Sequence, residues 1–127
     1  MPVFEHPTGL VEVAHFTIPQ VRTWGNGEKE TAFKEQIRRM SGLSPQNTMG
    51  FEWFVFCIRC IVGRSRDKEH QAPDVDNILK LVVDAFTGLL CPEDNLHHVR
   101  GVQAEAEWGP DEEERTEVWI YGWPGAT

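Results

Sequence analysis

The chain has 127 residues, 40% of them hydrophobic and 25% charged, which suits one domain spanning residues 1–127 with a core of its own and leaves no room for a second. It contains no uncharged apolar run of roughly 18 residues and no basic-then-apolar leader, so neither a membrane span nor a secretory signal is expected and the cytoplasm is the expected compartment. A formal net charge of −8 counts against a nucleic-acid partner, because the phosphate backbone rewards positive contact surfaces.

The punctuation by glycine and proline divides the chain into about six elements. Leu10 to Ile18 is rich in β-branched residues and closed by Pro19, so it is expected to be a strand; residues 19–28 read as a loop. Lys29 to Met40 carries Phe33, Ile37 and Met40 at helical spacing and stops before Gly42, which predicts a helix with one apolar stripe. Phe51 to Val62 is the most hydrophobic run, aromatic and β-branched, as a central strand covered on both faces would be. A polar, basic loop over residues 63–73 then leads into a second helix running to about Leu90. Its apolar positions Ile78, Leu81, Val82, Ala85, Phe86 and Leu89 keep the helical period without a miss. Cys91 to Leu96 reads as a loop. His98 to Trp108 alternates through Val102, Ala104, Ala106 and Trp108, and Thr116 to Gly122 alternates through Val118 and Ile120, which predicts an antiparallel hairpin around Gly109-Pro110. The order β-α-β-α-β-β implies an α+β (mixed α/β) domain, a mixed β-sheet with two main helices packed against it.

Charge is segregated along this order. Residues 105–117 hold seven carboxylates against Arg115 alone, most simply a solvated turn, whereas residues 59–70 carry Arg59, Arg64, Arg66 and Lys68 against Asp67 and Glu69. The basic stretch leads straight into Pro73-Asp74-Val75-Asp76-Asn77, and at 100° per residue Asp76, Asn77, Lys80 and Asp84 fall together opposite the apolar stripe. A hard divalent cation takes oxygen ligands and keeps several waters, so Asp74 and Asp76 with Asp94 from the following loop make an adequate set. Lys80 would sit by the carboxylates without being a ligand and stabilise negative charge on a phosphoryl group, and Asn77 would orient a carboxylate or a water. By spacing alone the plainer reading leads, with Asp74 a helix N-cap and Asp76 with Lys80 an ordinary ion pair worth about 0.3–0.5 kcal/mol.

From about Pro73 to Val102 the run Pro-Asp-Val-Asp-Asn-Ile-Leu-Lys-Leu-Val-Val-Asp-Ala-Phe-Thr-Gly, followed by Pro-Glu-Asp-Asn and a strand, resembles the RusA family of Holliday junction resolvases. The resemblance implies that Asp74, Asp76 and Asp94 bind Mg²⁺, with Mn²⁺ as a substitute, and that Lys80 assists catalysis. It further implies a homodimer whose two sites cut opposing strands of a four-way DNA junction; the basic stretch before the motif makes Arg64, Arg66 and Lys68 the expected DNA contacts. The sequence departs from the family pattern in Glu93, where an aspartate is usual, and in a segment after Asp94 that is one residue longer.

Other readings of the chain are weaker in chemistry. Cys57-Ile-Arg-Cys60 has the spacing of half a zinc site, with Cys91, His97 or His98 to complete it, but a strand sends residues three apart to opposite faces. Three cysteines, an odd number, fit free thiols in a reducing compartment. His97-His98 is a candidate base or phosphate contact, and Trp24 in its glycine-rich loop a candidate platform for unpaired bases, whereas Trp53, Trp108 and Trp119 suit a core or a dimer contact. A non-catalytic binder of DNA structure and a protein-interaction domain with an acidic hairpin are the alternative functions.

Overall fold

In the computed structural model the described residues are 9–21, 27–68, 75–87 and 98–124. Four strands, β1 (Val11–Ile18), β2 (Trp53–Gly63), β3 (Val99–Gly109) and β4 (Arg115–Trp123), form one sheet in the order β1-β4-β2-β3. The two long helices are α1 (Gly27–Ser41) and α4 (Val75–Phe86); short helices α2 (Pro45–Thr48) and α3 (Ser65–Lys68) and a 3₁₀ turn at Asp111–Glu113 complete the described elements. The α+β reading and its element order hold, and the three short helical pieces were not foreseen.

The predicted β3–β4 hairpin does not form. β3 pairs with β2 in parallel, and β4 lies on the other side of β2, antiparallel to it and to β1. The reason is burial. β2 is buried at every position except a half-buried Arg59, so its backbone needs hydrogen-bonded neighbours on both sides. β4, buried from Val118 through Gly122, tolerates the interior, whereas β3 exposes Glu105, Ala106, Glu107 and Trp108 and takes the edge.

One face of the sheet and the helices share the main core, in which Phe33 and Ile37 of α1 meet Ile78, Val82, Ala85 and Phe86 of α4 over Phe56, Ile58, Val118 and Ile120. Met40, expected on the α1 stripe, is exposed instead, one residue before the helix ends. Gly42 supplies the positive φ of 68° that ends it, and Ser41 Oγ ties the turn by donating to the Arg38 carbonyl at 2.7 Å and accepting from Leu43 N–H at 3.1 Å. The guanidinium of Arg38 in turn donates to the Ala85 carbonyl in the last turn of α4, as a cation should at a helix C-terminus. That helix closes at Phe86, four residues short of the expected end, with Thr87 N–H donating to Asp84 O at 3.2 Å in a tightened final turn. Leu89 lies outside the described residues.

The other face of the sheet carries a second cluster, Trp53, Val55, Cys57, Trp119 and Tyr121, with Leu10 and Trp123 against it. Trp53 and Trp119 are therefore core residues, as expected. Trp53 stacks on Trp123 with ring centroids 5.6 Å apart, and the guanidinium carbon of Arg100 lies 5.3 Å over the Trp53 ring.

Candidate nuclease site at the start of α4

A parallel pair needs a crossover, and α4 returns the chain from the end of β2 to the start of β3. Its first turn therefore lies toward the end of the sheet at which β2 finishes, the end where open α/β sheets bind their ligands. The strong apolar stripe presses Ile78 and Val82 into the core, and the same rotation leaves Asp76, Asn77 and Lys80 exposed on the opposite side, with Asp84 half-buried. The helix thus brings Asp76, Asn77 and Lys80 to one solvent-facing surface. A carboxylate in the first turn also meets the positive end of the helix dipole.

Asp74 and Asp94 lie outside the described residues, as do Cys91, Trp24 and His97. Among the described residues no group of three histidine, cysteine, aspartate or glutamate side chains converges as a metal site. The exposed donors of the first turn are a carboxylate and a carboxamide, oxygen ligands of the kind a hard cation takes. The cysteine pair fails as a metal site on geometry: Cys57 belongs to the second cluster and Cys60 to the main core, on opposite faces of β2. Burial pushes both thiols up to about 11, far from the thiolate that zinc requires. His98 is half-buried at the entry to β3, where its carbonyl accepts from Phe54 N–H at 2.7 Å.

The basic segment preceding α4 is held by the acidic one, which corrects the expectation of a merely solvated turn. Glu114, half-buried, takes Arg66 in a two-pronged ion pair, Nε to Oε1 and Nη2 to Oε2 each at 2.9 Å, and its Oε1 also accepts from Gly63 N–H at 3.1 Å. Asp111 Oδ1 accepts from Ser65 N–H at 3.0 Å, and Arg64 N–H donates to the Gly109 carbonyl at 3.0 Å. The approach is close enough that a Cβ on Gly63 would stand 2.6 Å from Asp111 Oδ1 and 3.1 Å from its Cα. Glu112 and Glu113 remain exposed. Of the basic residues expected at DNA, Arg64 is exposed and Arg66 half-buried against Glu114; the side chain of Lys68 is outside the description. Sequence reasoning missed Asp111 and Glu114, since nothing in an acidic run tells which carboxylates a distant loop will meet.

The family model of the endodeoxyribonuclease RusA matches residues 8–121. No curated protein matches the chain. The match takes in all four strands nearly to the end of β4, both long helices and the whole acid-acid-lysine-acid set. The chain therefore belongs to the RusA family of endodeoxyribonucleases, nucleases whose general activity is the resolution of Holliday junctions.

Proposed function

We propose that the protein is a Mg²⁺-dependent, structure-selective endonuclease of the cytoplasm that resolves four-way DNA junctions in recombination and repair by paired nicks, acting as a homodimer. The observation that carries this reading is the exposed polar face of α4, where Asp76, Asn77 and Lys80 share one surface at the end of the parallel strand pair. Asp74, Asp76 and Asp94 would hold the cation, with Mn²⁺ as a substitute, and Asn77 would orient one of those carboxylates or a water. The bound ion supplies Lewis-acid stabilisation of the phosphoryl oxygens and of the departing 3′ oxygen. Lys80 places a fixed ammonium beside the scissile phosphate, and its charge counts most where negative charge builds up in the transition state.

DNA is gripped by Arg64 and Lys68 on the segment before α4, joined by Arg66. A guanidinium has five N–H donors, and the ion pair with Glu114 uses only two of them, so Arg66 can hold the loop and meet a phosphate together. Of the carboxylates nearest these basic residues, Glu114 is neutralised by its ion pair with Arg66, which leaves Arg64 exposed as the positive charge next to it.

The test is cleavage of a synthetic four-way junction. Wild-type protein with Mg²⁺ nicks opposing strands, and Asp76→Asn loses at least about a hundredfold in rate while still binding the junction. Metal-independent junction binding with no cleavage of any branched substrate would instead mark a non-catalytic binder.

A further inference from the structure

Trp108, the next-to-last residue of β3, leaves 39% of its surface to solvent, whereas Trp53 and Trp119 are buried and Trp123 is half-buried. It pairs with Val62, a main-core residue, and alternates in step with Ala104, which packs against that core. Its indole therefore lies on the sheet face that carries the helices. α4 packs on both β2 and β3, and its first turn lies toward the end where the two strands finish. An exposed aromatic ring thus stands at the same end, and on the same side of the sheet, as the first turn of α4.

The strand end beneath this ring is fixed. Gly109 pairs with Gly63, and a Cβ on Gly109 would stand 2.6 Å from Ile61 Cγ2, so the strand seats directly on β2. The Gly109 carbonyl accepts from Arg64 N–H at 3.0 Å, which places an exposed cationic residue beside the one that follows Trp108. The nearest carboxylates are engaged or turned away. Glu105 and Glu107 alternate to the opposite face, where Glu107 pairs with Arg59, and Asp111 accepts from Ser65 N–H. An aromatic face next to a cation suits a nucleobase on a strand whose phosphate Arg64 holds.

In a continuous duplex each base pair is covered by the next, and an indole finds no face to stack on. At a branch point the stack is interrupted and base faces open. We infer that Trp108 stacks on a base at the branch point that has lost its stacking neighbour, and so sets the preference for branched over continuous DNA. This inference rests on the DNA contact at Arg64 in the proposed function and names the residue that reads the branch. Trp108, whose alternation suited a core or a dimer contact, is thereby given to the substrate.

The experiment is binding of a four-way junction and of a continuous duplex by the full chain without divalent metal, with cleavage measured separately. Trp108→Leu keeps an apolar side chain but removes the aromatic face, and is expected to weaken junction binding about tenfold or more while leaving duplex binding unchanged. Trp108→Phe restores most of the loss. The slope of log affinity against log salt stays that of wild type, because an indole displaces no counterions. A 2-aminopurine at the branch point emits weakly when stacked on the indole of the wild-type complex and brightly in the complex with Trp108→Leu. Equal losses on junction and duplex, or equal emission from the two complexes, would overturn the inference. So would a change in the sedimentation of the DNA-free chain on Trp108→Leu, which would give the indole to a second copy. A chain that cuts junctions and loses no selectivity with Trp108→Leu defeats this inference and leaves the nuclease reading; one that reads branches through Trp108 but cuts none does the reverse.

Discussion

Lys80 stands one helical turn beyond Asp76 on the exposed side of α4, and its neighbours Ile78 and Val82 carry the packing. Truncating it therefore disturbs little packing, and its effect on the proposed chemistry can be read cleanly. Lys80→Ala is expected to lower single-turnover cleavage about 10²- to 10³-fold, the scale of losing one preorganised group at developing charge, with thermal stability within about 0.5 kcal/mol of wild type. A loss of fold comparable to the loss of rate would remove Lys80 from the mechanism. The cysteines make the opposite kind of residue, buried and inert. Cys57 and Cys60 titrate near 11 in the folded chain against 9.0 for an ordinary thiol, burial being the first cause for both. A thiol whose folded value is raised keeps its proton longer than the unfolded chain does, so the native state loses ground once pH exceeds the unfolded value. Stability is unaffected by these groups below about pH 8 and declines between pH 9 and 11, at up to about 1.4 kcal/mol per pH unit for each thiol. Urea midpoints at pH 8, 9 and 10 measure the decline, and the Cys57→Ala, Cys60→Ala double variant should show a shallower one.

At the scale of elements, the helices and the strands were legible because their signals are local. α4 shows its period in twelve residues and α1 ends on a glycine; β2 is a continuous apolar run, and each of these appears where the pattern put it, α4 closing four residues early. Strand pairing is a choice among distant partners, and the alternation of residues 98–108 says which side chains share a face without saying which neighbour β3 will take. The same holds for the candidate site: Asp76, Asn77 and Lys80 follow from helical rotation, but the clamp of Asp111 and Glu114 on Gly63, Ser65 and Arg66 depends on β3 returning parallel to β2. That clamp has a measurable worth. Glu114→Ala leaves the Gly63 N–H and a half-buried guanidinium without their acceptor and should cost about 1–3 kcal/mol in urea unfolding. Glu114→Gln retains an acceptor for Gly63 and should cost less than Glu114→Ala. Equal costs for the two variants would mean that the ion pair with Arg66, and not the backbone hydrogen bond, sets the loop.

For the whole molecule the question is how a chain of net charge −8 holds a polyanion. Bulk charge sets long-range repulsion, which salt screens beyond about 10 Å at 0.1 M, while phosphate contacts release counterions and are weakened by salt. The two act in opposite directions, so junction affinity should fall with salt less steeply than the number of basic contacts alone would give. Arg64 separates them. It is exposed beside Asp111, on a segment whose backbone is pinned by Gly109 and Asp111, and it contributes no side-chain hydrogen bond to that anchoring. Arg64→Ala should reduce the slope of log affinity against log salt by about 1, uniformly over branched substrates, and leave the rate from the bound state unchanged. The complementary change, Glu112→Gln with Glu113→Gln, removes two exposed carboxylates that lie outside the Asp111 and Glu114 hydrogen bonds holding the basic loop, and should raise affinity at low salt only, the gain vanishing as the Debye length shortens. An affinity gain that persists at high salt would mean that these glutamates lie at the DNA contact itself, and the basic segment would no longer be the face on which the junction sits.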